Sequence, residues 1–271
     1  MIQDIENTFY NQYKNTEAGE NDVIIEIVND SILLAFSNET IVFPVYSDNV
    51  TVNNYLFTID KTNYFSGTLK NKNGYEFYNI RNLRDKGSKT SVFAAITAYH
   101  LCSWYDSQKF CGCCGNKMKH SPVERAMVCE CGNTVYPRIN PAVIVAIISE
   151  NRICMTKYNR GYANWALVAG YCEAGETIEE TVHREVMEET GLRVKNLHFY
   201  KSQPWGLSSS LLFGFFCETD GSDKITIDNV ELKEGKWFTA EEIEFFNDDF
   251  SLTREMIEVF RQKKHIDILN N

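Results

Sequence analysis

Between Gly170 and Leu192 the chain reads Gly-Tyr-Cys-Glu-Ala-Gly-Glu-Thr-Ile-Glu-Glu-Thr-Val-His-Arg-Glu-Val-Met-Glu-Glu-Thr-Gly-Leu, a glycine-led loop running into a segment that carries Glu185, Glu188 and Glu189. Thr177 followed by Glu180 has the spacing of a capping box and predicts a helix start, and Gly191 suits the position just past a helix end. At about 100° per residue, Ile178, Val182 and Val186 make one apolar stripe. Glu185 and Glu189 fall within or beside that stripe, and Glu188 flanks it. Carboxylates at the edge of a buried stripe are costly unless paired or bound to metal. Arg184 can reach Glu188 at i, i+4 but cannot neutralise the whole set. A hard divalent cation resolves the conflict, and oxygen-only ligands suit Mg²⁺ or Mn²⁺ bridging to phosphate oxygens. The plainer alternative is an ordinary charged surface helix.

A second cluster has different chemistry. Cys111-Gly-Cys113-Cys114-Gly115 is followed by Cys129-Glu-Cys131-Gly132, two knuckles that read as a structural Zn²⁺ site with thiolate ligands Cys111, Cys114, Cys129 and Cys131. The second knuckle has one residue between its cysteines where two are usual. Three readings stay open: a zinc site with strained geometry, a site that recruits Cys113, or a ribbon without metal.

The spacing G-x5-E-x7-R-E-V-x-E-E-x-G-L from Gly170 to Leu192 resembles the signature of the Nudix hydrolases at every fixed position. The resemblance implies hydrolysis of a nucleoside diphosphate linked to another moiety. It makes Glu185 and Glu189 metal ligands and Glu188 a ligand or base. Glu176 and Arg184 become supports of loop and helix, and Ala169 offers its backbone carbonyl to the metal. Which glutamate takes the proton from water stays open.

Downstream, Ser202-Gln203-Pro204-Trp205 and Ser210, together with the upstream cysteines, are similar to the NAD(H) diphosphatase branch of that family, the NudC-like enzymes, marked by a zinc ribbon and an SQPWPFPxS sequence. This similarity implies cleavage of NADH or NAD⁺ to a nicotinamide mononucleotide and AMP, action on NAD-capped RNA 5′ ends, and a homodimer. It assigns substrate contacts to Glu124, Tyr136, Tyr171, Gln203, Pro204, Trp205 and Ser210, and a remote metal ligand to Glu231. Trp205 offers a flat face for a ring. Thr253 stands where the family has a small alanine against the ligand. Gly206-Leu207-Ser208 replaces Pro-Phe-Pro, and losing two prolines is expected to loosen this loop. A Nudix hydrolase of another substrate, such as ADP-ribose or a dinucleoside polyphosphate, therefore stays open. So does a silent nucleotide-binding module, although the intact glutamate set argues against it.

These groups need a scaffold, and 271 residues with a 44% hydrophobic fraction suffice for more than one core. Three segments are expected: a β-rich domain over 1–106, a zinc ribbon over 107–138 and a Nudix domain over 139–271. The alternating runs of 23–70 read as strands, and 88–106 as a helix. Ala142-Val-Ile-Val-Ala-Ile-Ile148 reads as a buried strand, with further strands near 196–202 and 211–217 and a last helix over 251–263. The fold class is α/β, and the resemblance implies the α/β/α sandwich of the Nudix fold. A net charge of −10 opposes nonspecific nucleic-acid binding and sharpens the need for cations beside a diphosphate. No run of about 18 apolar residues exists, and the first residues lack a signal pattern. A cytoplasmic protein without membrane contact, its thiols reduced, is the expectation.

Overall fold

The computed structural model describes residues 1–161, 164–227, 230–245 and 249–270. By its contacts the chain divides into two compact units: Ile2–Arg138 with Gly206–Ser209, and Met1 with Ile139–Trp205 and Ser210–Asn271.

The second unit is built on the strand Asn140–Ser149, whose interior is buried from Ala142 to Ser149. It pairs in parallel with Ser210–Thr219 and antiparallel with Val168–Tyr171 and Arg152–Tyr158. Val194–Trp205 and Leu232–Thr239 complete a six-stranded sheet. Because strand side chains alternate, this one strand supplies two cores. Val143, Val145 and Ile147 pack with Val182 and Val186 of the helix Ile178–Thr190. Ile144, Ala146 and Ile148 pack with Leu252, Met256, Ile257 and Phe260 of the helix Leu252–Arg261. Helix, sheet and helix therefore form the three-layer sandwich expected from the sequence. The expected strands near 196–202 and 211–217 are the inner parts of Val194–Trp205 and Ser210–Thr219.

Thirteen residues make a marginal helix in isolation. Val182 and Val186 are both 0% exposed, and at roughly 1.5–3 kcal/mol for each side chain fully buried they hold Ile178–Thr190 against the sheet. The helix therefore has one rotational setting, which fixes where its glutamates point.

In the first unit, one four-stranded sheet contains Val50–Ile59 and Thr62–Leu69 and another is centred on Ser31–Ser37. Ile24, Leu33, Tyr55, Phe65 and Leu69 form a shared core. The helix Lys89–Ser107 starts at Ser88, whose hydroxyl accepts from Ser91 N–H, as the sequence suggests. The cysteine-bearing segment has its own three-stranded sheet. It is tied to the β-rich part through Tyr13, whose hydroxyl donates to Ser121 O, and through Arg125, which donates to Asn11 and Leu56 O. Segments 1–106 and 107–138 thus pack as one unit. Among the described residues no helix is long and apolar enough to cross a membrane.

The Gly206–Ser208 turn corrects one expectation. It is a tight 3-10 turn with Gly206 and Leu207 buried, not a loosened loop. A Cβ added at Gly206 would lie 2.6 Å from Ile96 O and 2.9 Å from Ile96 Cγ2. Backbone packed this closely leaves no room for a proline ring at position 206. Gly206→Ala is expected to lower stability by about 1–3 kcal/mol, the usual cost of overpacking, read as a lower urea midpoint. An unchanged midpoint would refute the close contact.

Candidate active site

The side chain that organises the loop and helix is Arg184. Its Nε donates to Glu176 Oε1 at 2.5 Å and its Nη2 to Glu176 Oε2 at 2.9 Å, a bidentate pair. Nη1 donates to Glu185 Oε1 at 2.7 Å and to Glu188 Oε2 at 3.0 Å. Nη2 also reaches Tyr171 O at 2.8 Å. One guanidinium thus joins the end of the strand Val168–Tyr171, the loop and the helix.

Glu176 is held further by Glu173 N–H and the Thr181 hydroxyl, at 3.0 and 2.9 Å. These donors, Arg184 first, hold its carboxyl down at about 2, and the same contacts raise the guanidinium's pKa. The expected capping box is present in full, with Thr177 Oγ1 accepting from Glu180 N–H and Glu180 accepting from Thr177 N–H. Gly191 closes the helix in the left-handed region at φ 67°.

Glu185 lies against Gly170. A Cβ built on Gly170 would fall 1.9–2.2 Å from the Glu185 carboxylate atoms, so only glycine leaves this space. Burial pushes the Glu185 carboxyl up, as do the charges of Glu188 and Glu231, and Arg184 opposes them. Glu189 is 4% exposed, on the buried side of the helix, whereas the Glu188 side chain is 60% exposed. Burial raises the pKa of Tyr158, at the end of the strand Arg152–Tyr158, and the charges of Glu189, Glu231 and Glu185 add to it. Nothing in its sequence position marked Tyr158. A half-buried cluster of oxygen donors with surplus negative charge fits a hard divalent cation. Among the described residues, the set of metal-ligating atoms that already lies together is nevertheless the cysteine set.

The residues expected at the substrate fall into separate groups. Tyr171 and Ser210 meet through their hydroxyls at 3.3 Å. Trp205 is half-buried and Pro204 exposed. Ala169 lies in the strand Val168–Tyr171, opposite Ile144. Thr253 is half-buried in the first turn of Leu252–Arg261, behind the N-cap Ser251. Glu231 is exposed, and its carbonyl accepts from Asn159 N–H. In the other unit the Tyr136 hydroxyl donates to Glu124 Oε1 at 3.1 Å. Gln203 belongs to the fold. It is 0% exposed, donates to Phe250 O at 2.7 Å and accepts from Leu252 N–H at 2.8 Å. Both ends of its amide anchor the start of the last long helix. Only the tertiary fold discloses this, because the partner residues lie far along the chain.

In the ribbon, the Sγ atoms of Cys111, Cys114, Cys129 and Cys131 all lie within 4.8 Å of one another. Cys111 and Cys131 are 3.7 Å apart and Cys114 and Cys129 are 3.4 Å apart. A tetrahedral zinc with Zn–S near 2.3 Å needs sulfurs about 3.8 Å apart, so the four thiols fit a structural zinc. The short knuckle still folds back, since Gly132 N–H reaches Cys129 O as Gly115 N–H reaches Cys111 O, with both glycines at positive φ. Backbone N–H donors from Cys113 and Cys114 lower the Cys111 thiol, whereas the thiols packed beside them raise those of Cys114 and Cys131. Cys113 is exposed and outside the cluster, against the reading that recruits it.

The Glu176 pair carries a pH dependence. Its folded-state pKa of about 2 lies below the ordinary 4.5, so its stabilisation is complete above the ordinary value and is lost as pH falls toward 2. Glu176→Gln should lower Tm at neutral pH, and the gap to the parent should close in acid. A gap that stays constant with pH would refute the ion pair's contribution.

Comparison with known proteins agrees with this geometry. Residues 138–260 match the NUDIX domain family model. Over 161 residues the chain is 42% identical to the NAD-capped RNA hydrolase NudC of Salmonella schwarzengrund and 40% identical to that of Escherichia coli K12. Each match spans 58% of this chain and 62% of the relative. Among solved structures, a NUDIX hydrolase from Nitrosomonas europaea superposes with TM-score 0.51 at 22% identity, covering 58% of this chain and 93% of that one, which supports the fold. The chain is thus similar to the NudC proteins, and its segment 138–260 matches the NUDIX domain model.

Proposed function

We propose that this protein is a metal-dependent hydrolase of the diphosphate bond of NADH and NAD⁺, releasing a nicotinamide mononucleotide and AMP, and that it also acts on the same linkage at NAD-capped RNA 5′ ends. The observation that carries the reading is the carboxylate pair on one helix face, Glu189 at 4% exposure and half-buried Glu185 seated against Gly170, with Arg184 tied to the loop. The similarity to NudC proteins supports the substrate class. Glu185, Glu188, Glu189, Glu231 and the Ala169 carbonyl would hold Mg²⁺ or Mn²⁺. When bound, such ions neutralise the diphosphate and acidify a coordinated water.

The chain's own part is positional and protolytic. Arg184 keeps Glu185 and Glu188 in one orientation, Gly170 leaves space for the carboxylate, and a carboxylate of this cluster accepts the proton as water adds across the P–O–P bond. Tyr171 and Trp205 offer rings to the ligand, where base stacking typically contributes about 1–3 kcal/mol. The four-cysteine cluster would hold a structural Zn²⁺.

Product analysis of NADH with Mn²⁺ or Mg²⁺ should give NMNH and AMP in equal amounts. Absence of both would remove the substrate assignment. Glu189→Gln should lower kcat/KM by about 100-fold or more, corresponding to roughly 3 kcal/mol of transition-state stabilisation; full turnover would count against the site. Chelator-free protein should carry one zinc per chain by mass spectrometry, and Cys129→Ser should lose it. A zinc content far below one per chain would show a ribbon without metal.

A further inference from the structure

The strands Arg152–Tyr158 and Leu232–Thr239 keep a regular antiparallel register up to Lys157 opposite Glu234, and then slip. Tyr158 pairs with Leu232, leaving Lys233 as the extra residue of a β-bulge. Bulges recur beside active sites because they re-aim a side chain and end regular pairing. Asn159 follows at once and continues the slipped register. Its backbone N–H donates to Glu231 O at 2.9 Å. Its side-chain Nδ2, which has two hydrogens, donates to Val230 O at 2.9 Å and to Leu232 O at 3.1 Å. The three consecutive carbonyls before, at and after Glu231 thus all accept from one residue. Glu231 is exposed, yet its charge acts on both Glu185 and Tyr158, so its carboxylate belongs to the field of the helix glutamates.

We propose that Asn159 is a positioning residue for the divalent-cation site: by gripping the carbonyls around Glu231 it fixes the backbone that carries this remote carboxylate. The inference rests on the reading of Glu231 as a ligand. An untethered surface carboxylate would lose backbone and rotamer freedom on meeting the cation, and that loss weakens binding. Asn159 removes most of it in advance, as preorganisation does. Its amide cannot be replaced by a carboxylate, which would present acceptors to acceptors.

The test uses the full chain and Mn²⁺, with bound and free ion resolved by electron paramagnetic resonance. Asn159→Ala and Asn159→Asp should each raise the Mn²⁺ Kd about tenfold, with KM for NADH at saturating Mn²⁺ and zinc content unchanged. In a Glu231→Gln background Asn159→Ala should add nothing, because the two act as one unit. Asn159 variants that lower Tm or kcat but leave the Mn²⁺ Kd unchanged would reduce Asn159 to a structural residue and overturn the inference, as would additive effects of the two substitutions. A Kd raised by Glu231→Gln but not by the Asn159 variants overturns only the role of Asn159. An unchanged Kd in Glu231→Gln overturns the ligand role of Glu231, and with it this inference, while leaving Glu185 and Glu189 to be judged on their own variants.

Discussion

The ion pair between Arg184 and Glu176 is the constraint on which the rest of the site depends. Glu176 lies in the loop and Arg184 in the helix, and their bidentate contact at 2.5 and 2.9 Å sets the distance between the strand end and the glutamates. The same guanidinium holds Tyr171 O, Glu185 and Glu188. Lysine could not replace it, since an ammonium is a compact point charge without a planar fork of five donors. An exposed pair of this kind would contribute little to stability. Here the partners are partly buried, at 25% and 20% side-chain exposure, and the network's main consequence is geometric. It gathers acidic groups that would otherwise spread apart, leaving surplus negative charge beside the strand that carries Gly170.

The sandwich makes that arrangement rigid. The alternation of Asn140–Ser149 commits one face to Val182 and Val186 and the other to Leu252, Met256 and Phe260. The helix glutamates cannot rotate away without exposing both valines. The other face secures the last helix, where Gln203 binds both Phe250 O and Leu252 N–H and thereby sets the turn that bears Thr253. Packing on the two faces thus positions two different walls of the same unit.

How much of this was legible in the sequence follows the range of the interactions. The capping box at Thr177 and Glu180, the Arg184 to Glu188 pair and the buried strand from Ala142 are local or periodic, and each is present in the structure. The cysteine spacing announced a four-thiol cluster despite its short knuckle, because a turn with Gly132 at positive φ absorbs the missing residue. What escaped was long-range. Gly206 looked like a loosened loop, since only the fold brings Ile96 O close to it. The anchoring role of Gln203 was hidden, since its partners lie nearly fifty residues later. Tyr158 drew no notice, because the charges that act on it come from two distant segments.

The acidity of the chain and the burial of its glutamates belong to one argument. Glu189 sits on the face of the helix that the valines bury, and Glu185 is pushed toward its neutral form by the same surroundings. Left to themselves, buried like charges weaken the fold, and a net charge of −10 adds repulsion over longer range. Arg184 answers this in part by pairing with the loop carboxylate and with Glu185 of the helix, while the charges of Glu189 and Glu231 act on the buried Tyr158. The residual charge is therefore a feature that helix packing has fixed in place. A cation that binds the folded arrangement and not the unfolded chain would relieve it and stabilise the fold by mass action. Stability and affinity for metal are in this way two readings of the same electrostatic imbalance.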